Sequence, residues 1–84
     1  MSLINTKKCY TADESQFLNN IGFRIQFFRK KIGLSQEELA ERSDLSYSTI
    51  SHIESTTSYP FSMLALYRIA KALEVEPYQL LTFN

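Results

Sequence analysis

The chain has 84 residues, nine basic and nine acidic side chains, and a single cysteine. This length limits it to one small domain without room for a deep enzyme cleft, and a single cysteine excludes an internal disulfide. The balanced charge gives no support for nucleic-acid binding, which favours basic surfaces. The amino-terminal stretch lacks the apolar core of a signal peptide, and no apolar run is long enough to span a membrane. We therefore expect a cytoplasmic protein.

Glycine and proline are scarce, and long stretches with apolar residues at three- and four-residue steps lie between them. This pattern predicts an all-α fold of five helices rather than a sheet, which would need frequent turns. We expect an amino-terminal arm over residues 1–19 that is partly helical from about residue 12. A globular domain over residues 20–81 and a short tail over residues 82–84 complete the predicted organisation.

The first helix is predicted to begin after Thr11, because Thr11 and Glu14 have the spacing of a capping box. It either runs unbroken over residues 12–31 or breaks near Asn19. Gly33 suits the residue just beyond its carboxyl end. The residues predicted to share its inward face are Phe17, Leu18, Ile21, Ile25, Phe28 and Ile32.

Hydroxyl residues mark the starts of the next three helices. Ser35, with Glu38 three residues on, predicts the second helix, and Ser46 and Ser62 predict the third and fourth. Pro77 suits the first turn of a short fifth helix. The inward-facing residues of the second, third and fourth helices are predicted to be Leu39, Ala40, Ile50, Ile53, Met63, Leu66, Ile69, Ala70 and Leu73.

The second and third helices are separated by a short turn at Asp44 and Leu45. Ala40 is small enough for two helices to cross closely, and Asp44 tolerates left-handed backbone. Ile50 and Ile53 would anchor the third helix while its first turn projects outward. This is the geometry of a helix-turn-helix, whose second helix enters the DNA major groove.

Residues 20–81 resemble the Cro/phage-repressor (XRE-like) helix-turn-helix family. The similarity rests on SQEELA, on the spacing of Ser46, Ile50 and Ile53–Glu54, on Pro60 and on IAKALEV, all in family order. It implies a lambda-repressor-like domain that binds double-stranded DNA as a homodimer and regulates transcription. It implies no cofactor, metal or small-molecule ligand and no membrane association.

The resemblance also implies roles for individual residues. The positions that match contacts to bases or nearby backbone are Tyr47, Ser48, Ser51 and His52. The positions that match phosphate contacts are Gln36, Ser46 and Thr49. Arg29 and Glu54 match a pair that forms a salt bridge between helices one and three.

The predicted reading helix has few cations near it. Residues 35–58 hold Arg42 against five acidic residues, a formal net charge of −4. We expect compensating phosphate contacts from the first helix and the arm, namely from Arg24, Lys30, Lys31, Lys7 and Lys8. If about three phosphates are neutralised per subunit, log K falls with a slope near −3 per subunit against log salt.

The reading helix and its end differ from the usual family pattern in two features. The predicted reading face holds no Arg, Gln or Asn, so the side chains that usually form bidentate hydrogen bonds with guanine and adenine are missing. We therefore expect DNA shape or bridging water to contribute more to specificity. His52 is expected to donate to guanine N7 or O6, or to a phosphate when it is protonated. Thr56 stands where the family usually has glycine. A β-branched residue resists left-handed backbone, so we expect this helix end to take another path.

Two further groups of apolar residues are expected to be covered by another segment or by a second subunit. Phe23 and Phe27 lie four residues apart and off the main apolar face, so we expect the amino-terminal arm or a second subunit to cover them. Leu81 and Phe83 make the tail apolar and are predicted to contribute to the dimer, although they can equally end the core.

The alternative function is a protein-protein interaction module on the same fold, such as an antitoxin or partner-binding protein with weak DNA binding. On that reading, the low-charge reading face, the pair Phe23 and Phe27, and the apolar tail would bind protein. A separate interpretation makes Ser46, Tyr47 and Ser48 only cap and solvent-facing residues and His52 an ordinary exposed histidine. Catalysis has little support, because the histidine lies beside serines on one helix face with no orienting acid. A metal site lacks a second histidine.

Overall fold

The computed structural model describes residues 10–83. Within this range the chain forms α1 (Ala12–Lys31), α2 (Gln36–Ser43), α3 (Tyr47–Glu54), α4 (Met63–Leu73) and a terminal 3-10 helix (Pro77–Leu80). The predicted all-α fold is confirmed, but the fifth element is one turn of 3-10 helix, so the count of five α-helices was too high by one. Among residues 10–83, none of the helices has both the length and the hydropathy of a membrane-spanning segment.

Each α-helix begins directly after the hydroxyl residue that the sequence predicted as its cap. The side chains of Thr11, Ser35, Ser46 and Ser62 each accept a hydrogen bond from the backbone N–H three residues further on. These bonds satisfy N–H groups that have no partner inside the helix. At α2 the Glu38 carboxylate also accepts from the Ser35 N–H at 2.8 Å, which completes the predicted capping box.

The first helix is continuous from Ala12 to Lys31, so it does not break near Asn19. Gly33 follows its end with φ of 78°, the left-handed conformation that glycine adopts without steric cost. Of the six residues predicted to face inward, Phe17 and Ile32 are exposed. The six residues together occupy a wider part of the helix surface than the core contacts. The residues at the edges of that part are therefore exposed to solvent.

The core forms where α2 packs on α3 and α4 while α1 closes over α3. Its fully buried large side chains are Ile25, Leu39, Ile50, Ile69, Leu73 and Leu80. Burying a side chain of this size stabilises the fold by about 1.5–3 kcal/mol. Met63 was also predicted to face inward, but it is 79% exposed because it occupies the first turn of α4, at the edge of the packed layer.

The backbones of α1 and α3 come into direct contact at Gly22. A Cβ atom at this position would collide with the carbonyl oxygen of Ile53. Glycine is therefore required here for close approach, whereas the crossing of α2 with its neighbours uses the predicted Ala40, which is buried. The Gly22 contact fixes how deeply α3 sits against the body of the domain.

Candidate nucleic-acid interface

The turn that leads into α3 is set by Asp44. Its φ and ψ are 58° and 40°, the predicted left-handed conformation at the end of α2. The N–H of Leu45 then donates to the Ala40 carbonyl at 3.0 Å, and the Leu45 side chain packs against the core. The chain thus reverses direction in a few residues and delivers Ser46 to the start of α3.

The carboxyl end of α3 is held by what we call the Glu54 anchor, consisting of Glu54, Arg29 and Gln36. Arg29 Nε and Nη2 donate to the two carboxylate oxygens of Glu54 at 2.7 and 2.8 Å. Gln36 Nε2 donates to Glu54 Oε1 at 3.0 Å. The Arg29 and Glu54 side chains are only 9% and 1% exposed, so this is a buried ion pair with bidentate geometry.

The anchor joins three helices at one carboxylate. Arg29 lies on α1, Gln36 opens α2 and Glu54 ends α3. Arg29 Nη1 also donates to the Leu34 carbonyl at 2.7 Å, so the loop between α1 and α2 is tied in as well. Because Nε2 of Gln36 carries two hydrogens, one N–H remains for the phosphate contact implied by the family resemblance.

The outer face of α3 consists of Tyr47, Ser48 and His52, which stand clear of the core. Tyr47 is 52% exposed, and Ser48 and His52 are also exposed. Ser51 is half-buried beside them. The structure therefore brings together on one surface all four residues implied for base contact.

Ser46 and Thr49, two of the residues implied for phosphate contact, are bonded to each other at the start of α3. Ser46 Oγ lies 2.9 Å from Thr49 Oγ1 and accepts the Thr49 N–H at 3.0 Å. Ser46 is exposed and Thr49 is half-buried. The two hydroxyls thus stand together beside the amino end of α3, where the helix dipole favours an anion.

The ring of His52 is fixed by two contacts. Its Nδ1 lies 2.7 Å from the Ser48 carbonyl oxygen and 3.3 Å from Ser48 Oγ. On its face, the ring stacks on Tyr59, with centroids 5.2 Å apart and planes inclined by 20°. Tyr59 is half-buried and packs against the core, so it supports the histidine from beneath. Sequence reasoning missed Tyr59, because nothing local pairs it with His52.

The segment after α3 adopts left-handed backbone at Thr56 and Ser58, with φ of 59° and 58°. The prediction that Thr56 would avoid this conformation was therefore wrong. The turn is held from both sides, because Ser55 Oγ donates to the His52 carbonyl at 2.7 Å and the Ser58 N–H donates to Asn19 Oδ1 at 2.8 Å. The second bond ties the segment to α1 and constrains the backbone despite the steric cost.

The two lysines of α1 lie in its last turn. Lys30 and Lys31 are both exposed. Lys31 Nζ lies 5.9 Å from the centre of the Phe27 ring, within range of a cation–π contact. These cations are neighbours of Arg29, whose guanidinium belongs to the Glu54 anchor.

Arg24 does not present a free guanidinium to solvent. Its Nε and Nη2 both donate to the Gln79 carbonyl at 3.2 Å, and its guanidinium lies 5.0 Å from the centre of the Phe28 ring. It therefore ties the terminal 3-10 helix to α1, and the phosphate contact expected of its remaining N–H groups stays a prediction. Lys7 and Lys8 lie outside the described residues.

Among residues 10–83, two exposed apolar surfaces contain the residues predicted for dimer or arm contacts. The first, which we call the aromatic face, consists of Phe23 and Phe27, which are 55% and 54% exposed. The second, which we call the tail surface, consists of Phe17, Met63, Leu81 and Phe83. Within it the rings of Phe17 and Phe83 meet edge to face, with centroids 5.9 Å apart. Residues 1–9 of the amino-terminal arm expected to cover the aromatic face lie outside the described residues, and the described part of the arm leaves both rings more than half exposed.

Comparison with known proteins gives consistent relatives. The family model described as helix-turn-helix matches residues 25–80. The restriction-modification controller protein C.AhdI from Aeromonas hydrophila is 35% identical, with 75% of this chain and 94% of that chain covered and a TM-score of 0.71. A hypothetical transcription factor, NHTF from Neisseria, is 30% identical, with coverages of 92% and 87% and a TM-score of 0.75.

A third solved structure includes DNA. It is a mutant of the controller protein C.Esp1396I bound to its highest affinity operator site, 34% identical, with 76% of this chain and 83% of that chain covered and a TM-score of 0.70. None of the curated proteins matches the chain.

Proposed function

This chain belongs to the XRE-type helix-turn-helix family and is a DNA-binding transcription regulator, and on that premise we propose that it binds its operator as a homodimer with α3 in the major groove. The observation that carries the proposal is the division of α3 into a buried, anchored side and an exposed outer face. A helix that enters a groove needs rigid support behind it and free side chains in front.

The residues around α3 suit contacts with the DNA backbone on both sides of the outer face. The amino end of α2 carries Gln36, and the amino end of α3 carries the hydroxyls of Ser46 and Thr49. Such groups bind phosphate oxygens and set the position of the helix in the groove. Lys30 and Lys31 add charge from α1. With so few cations, we expect modest affinity and a shallow dependence on salt.

For the homodimer, the tail surface is the better interface. A two-fold dimer brings the same patch of each subunit together, and the centre of such an interface is apolar and poor in charge. The tail surface meets this condition, because Phe17, Met63, Leu81 and Phe83 are all uncharged. Its floor reaches the core at Ile21.

The aromatic face is less suited to pairing with itself. Phe23 and Phe27 line a shallow groove together with Lys30 and Lys31. In an isologous contact these lysines would face their own copies, and like charges in contact disfavour association. We therefore assign the dimer to the tail surface and leave the aromatic face to the amino-terminal arm or to a different partner.

The first experiment selects bound sites from a random duplex pool. We expect an inverted repeat, because the half-sites mirror the two-fold axis of the dimer. Affinity for the selected site is then measured at several salt concentrations. Replacing Lys30 and Lys31 by alanine should make the slope of log K against log salt shallower by about 0.9 for each phosphate that the variant no longer neutralises.

The matched control for this charge removal is Lys71→Ala, which removes an exposed lysine from α4 and should leave the slope unchanged. Retention on heparin or on random duplex at low salt provides a simpler test. If the wild-type protein is not retained on either, the DNA-binding proposal fails and the alternative, a protein-interaction module on this fold, takes its place.

Sedimentation analysis tests the dimer interface separately. The double variant Leu81→Asp/Phe83→Ser should be monomeric, whereas Phe23→Ser/Phe27→Ser should remain dimeric. Circular dichroism confirms that both variants are folded. If only Phe23→Ser/Phe27→Ser dissociates the dimer, the interface lies at the aromatic face instead. If the wild-type protein is itself monomeric, the proposed homodimer is wrong.

A further inference from the structure

We propose that His52 reads the exocyclic amino group of an adenine or cytosine, with its Nε2 acting as a hydrogen-bond acceptor. This inference rests on the proposed function and specifies which bases the outer face of α3 selects. It replaces the expectation that the same ring donates to guanine.

The proton on the His52 ring is placed by the contact between Nδ1 and the Ser48 carbonyl oxygen, 2.7 Å apart. A carbonyl oxygen has no hydrogen and can only accept, so Nδ1 must carry the proton in this bond. In the neutral ring, Nε2 then has a lone pair and no hydrogen. In its neutral form, the side chain that the sequence identified as a possible donor therefore presents an acceptor at its free nitrogen.

The ring is also held in position with Nε2 accessible. His52 is exposed, and among residues 10–83 no hydrogen bond to its Nε2 is formed, so this atom is available to a ligand. The stack on Tyr59 and the bond to Ser48 hold the ring before DNA arrives. Rotational freedom therefore does not have to be lost on binding, which favours a specific contact.

The major groove offers such an acceptor only two kinds of partner among the four bases. Adenine N6 and cytosine N4 are donors there, whereas guanine O6 and N7 and thymine O4 are acceptors. An acceptor on the protein pairs with the first two and leaves unpaired lone pairs facing each other at the last two. At the contacted position, His52 should thus select an amino base and reject a keto base.

The experiment compares site selections by the wild-type protein and by His52→Ala. We expect one position per half-site at which the wild type selects adenine or cytosine and the variant shows no preference. That base is next replaced by its analogue without the amino group, namely purine for adenine or 2-pyrimidinone for cytosine. The wild type should lose about threefold to tenfold in affinity, as for one neutral hydrogen bond, and His52→Ala should lose nothing.

Tyr59 serves as the positioning residue in the same test. Tyr59→Phe keeps the stacked ring and should retain the penalty for the analogue, whereas Tyr59→Ala should reduce it. Thermal unfolding shows whether Tyr59→Ala still folds. A stability loss alone would weaken binding to both duplexes equally, so the ratio between the normal and the analogue duplex isolates the positioning effect.

The outcomes are distinct. Selection of guanine or thymine at the position that depends on His52 would mean that the ring donates, and this would overturn the inference. Equal selections by the wild type and His52→Ala would remove His52 from base reading while leaving the proposed function intact. Failure of the wild type to select any site would instead count against the proposed function itself.

Discussion

The two sides of α3 differ in almost every physical respect. The inner side is buried and carries a charge, because Glu54 holds the helix to α1 and α2 while Ile50 and Ile53 fill the core. The outer side, with Tyr47 and His52, is exposed and makes mostly local contacts. Under the proposed function, support and recognition are thus assigned to different residues of a helix only eight residues long. Changes on one side should therefore affect stability, and changes on the other should affect binding.

The strongest test of this division removes the cation of the anchor. Arg29→Ala leaves the buried Glu54 carboxylate without its bidentate partner, and we expect a loss of about 3–5 kcal/mol in the free energy of unfolding. Chemical denaturation measures it. Arg42→Ala, which removes an exposed arginine from α2, is the matched control and should change stability by less than about 0.5 kcal/mol. Equal losses in the two variants would contradict the structural role of the anchor.

The second test fills the contact between α1 and α3. Gly22→Ala would normally strengthen a helix, but here its Cβ collides with the Ile53 carbonyl oxygen, so we expect a destabilisation of about 1–3 kcal/mol. The shifted α3 should also bind DNA less well. In Gly33→Ala the new Cβ meets no atom within 4 Å, so only the left-handed backbone is penalised, and DNA affinity should be kept. An unchanged or higher melting temperature in Gly22→Ala would refute the close contact.

The third test concerns the segment directly after α3. Thr56 holds a left-handed φ of 59° despite its branched side chain. Thr56→Gly removes that steric cost, and we expect a gain of about 0.5–1 kcal/mol after the greater flexibility of the unfolded glycine is subtracted. Thermal unfolding measures it. Thr57→Gly, which replaces a neighbour outside the left-handed region, should destabilise instead, and a gain there as well would remove the conformational explanation.

The smallest expected effect lies in the capping box of α2, on the supporting side but at the surface. Hydrogen bonds from the Ser35 backbone N–H and hydroxyl lower the pKa of Glu38 below its usual range. A lowered pKa stabilises the folded state above the ordinary glutamate range, and this contribution is lost as the pH falls through the folded-state pKa. Glu38→Gln should therefore flatten the decline of stability with acid. Chemical denaturation at a series of pH values measures the decline, and an unchanged decline in Glu38→Gln would contradict the contribution of the capping box.

Local features of the fold were predictable from sequence because their causes lie within a few residues. The caps at Thr11, Ser35, Ser46 and Ser62 each depend on a hydroxyl and on the N–H three residues away. The left-handed residue at the turn before α3 and the glycine after α1 follow from the same local reasoning. The family resemblance extended this to the pairing of Arg29 with Glu54, which spacing alone does not give.

Features that depend on tertiary packing were missed or predicted wrongly. The need for Gly22 arises only when α3 lies against it, and Met63 could not be excluded from the core by periodicity alone. The support of the His52 ring by Tyr59 was missed because that second ring comes from beyond the helix. Thr56 adopts a conformation that local sterics disfavour because distant contacts hold the segment in place.

The bond from the Ser58 N–H to Asn19 has a consequence for how binding preference can evolve. Asn19 holds the backbone next to Tyr59, and Tyr59 in turn supports the ring of His52. Under the proposed role of His52, a substitution at Asn19, which lies on α1 and not on the outer face of α3, should therefore alter which operator sequences are accepted. Comparing only the outward-facing residues of related regulators would overlook this route to divergence.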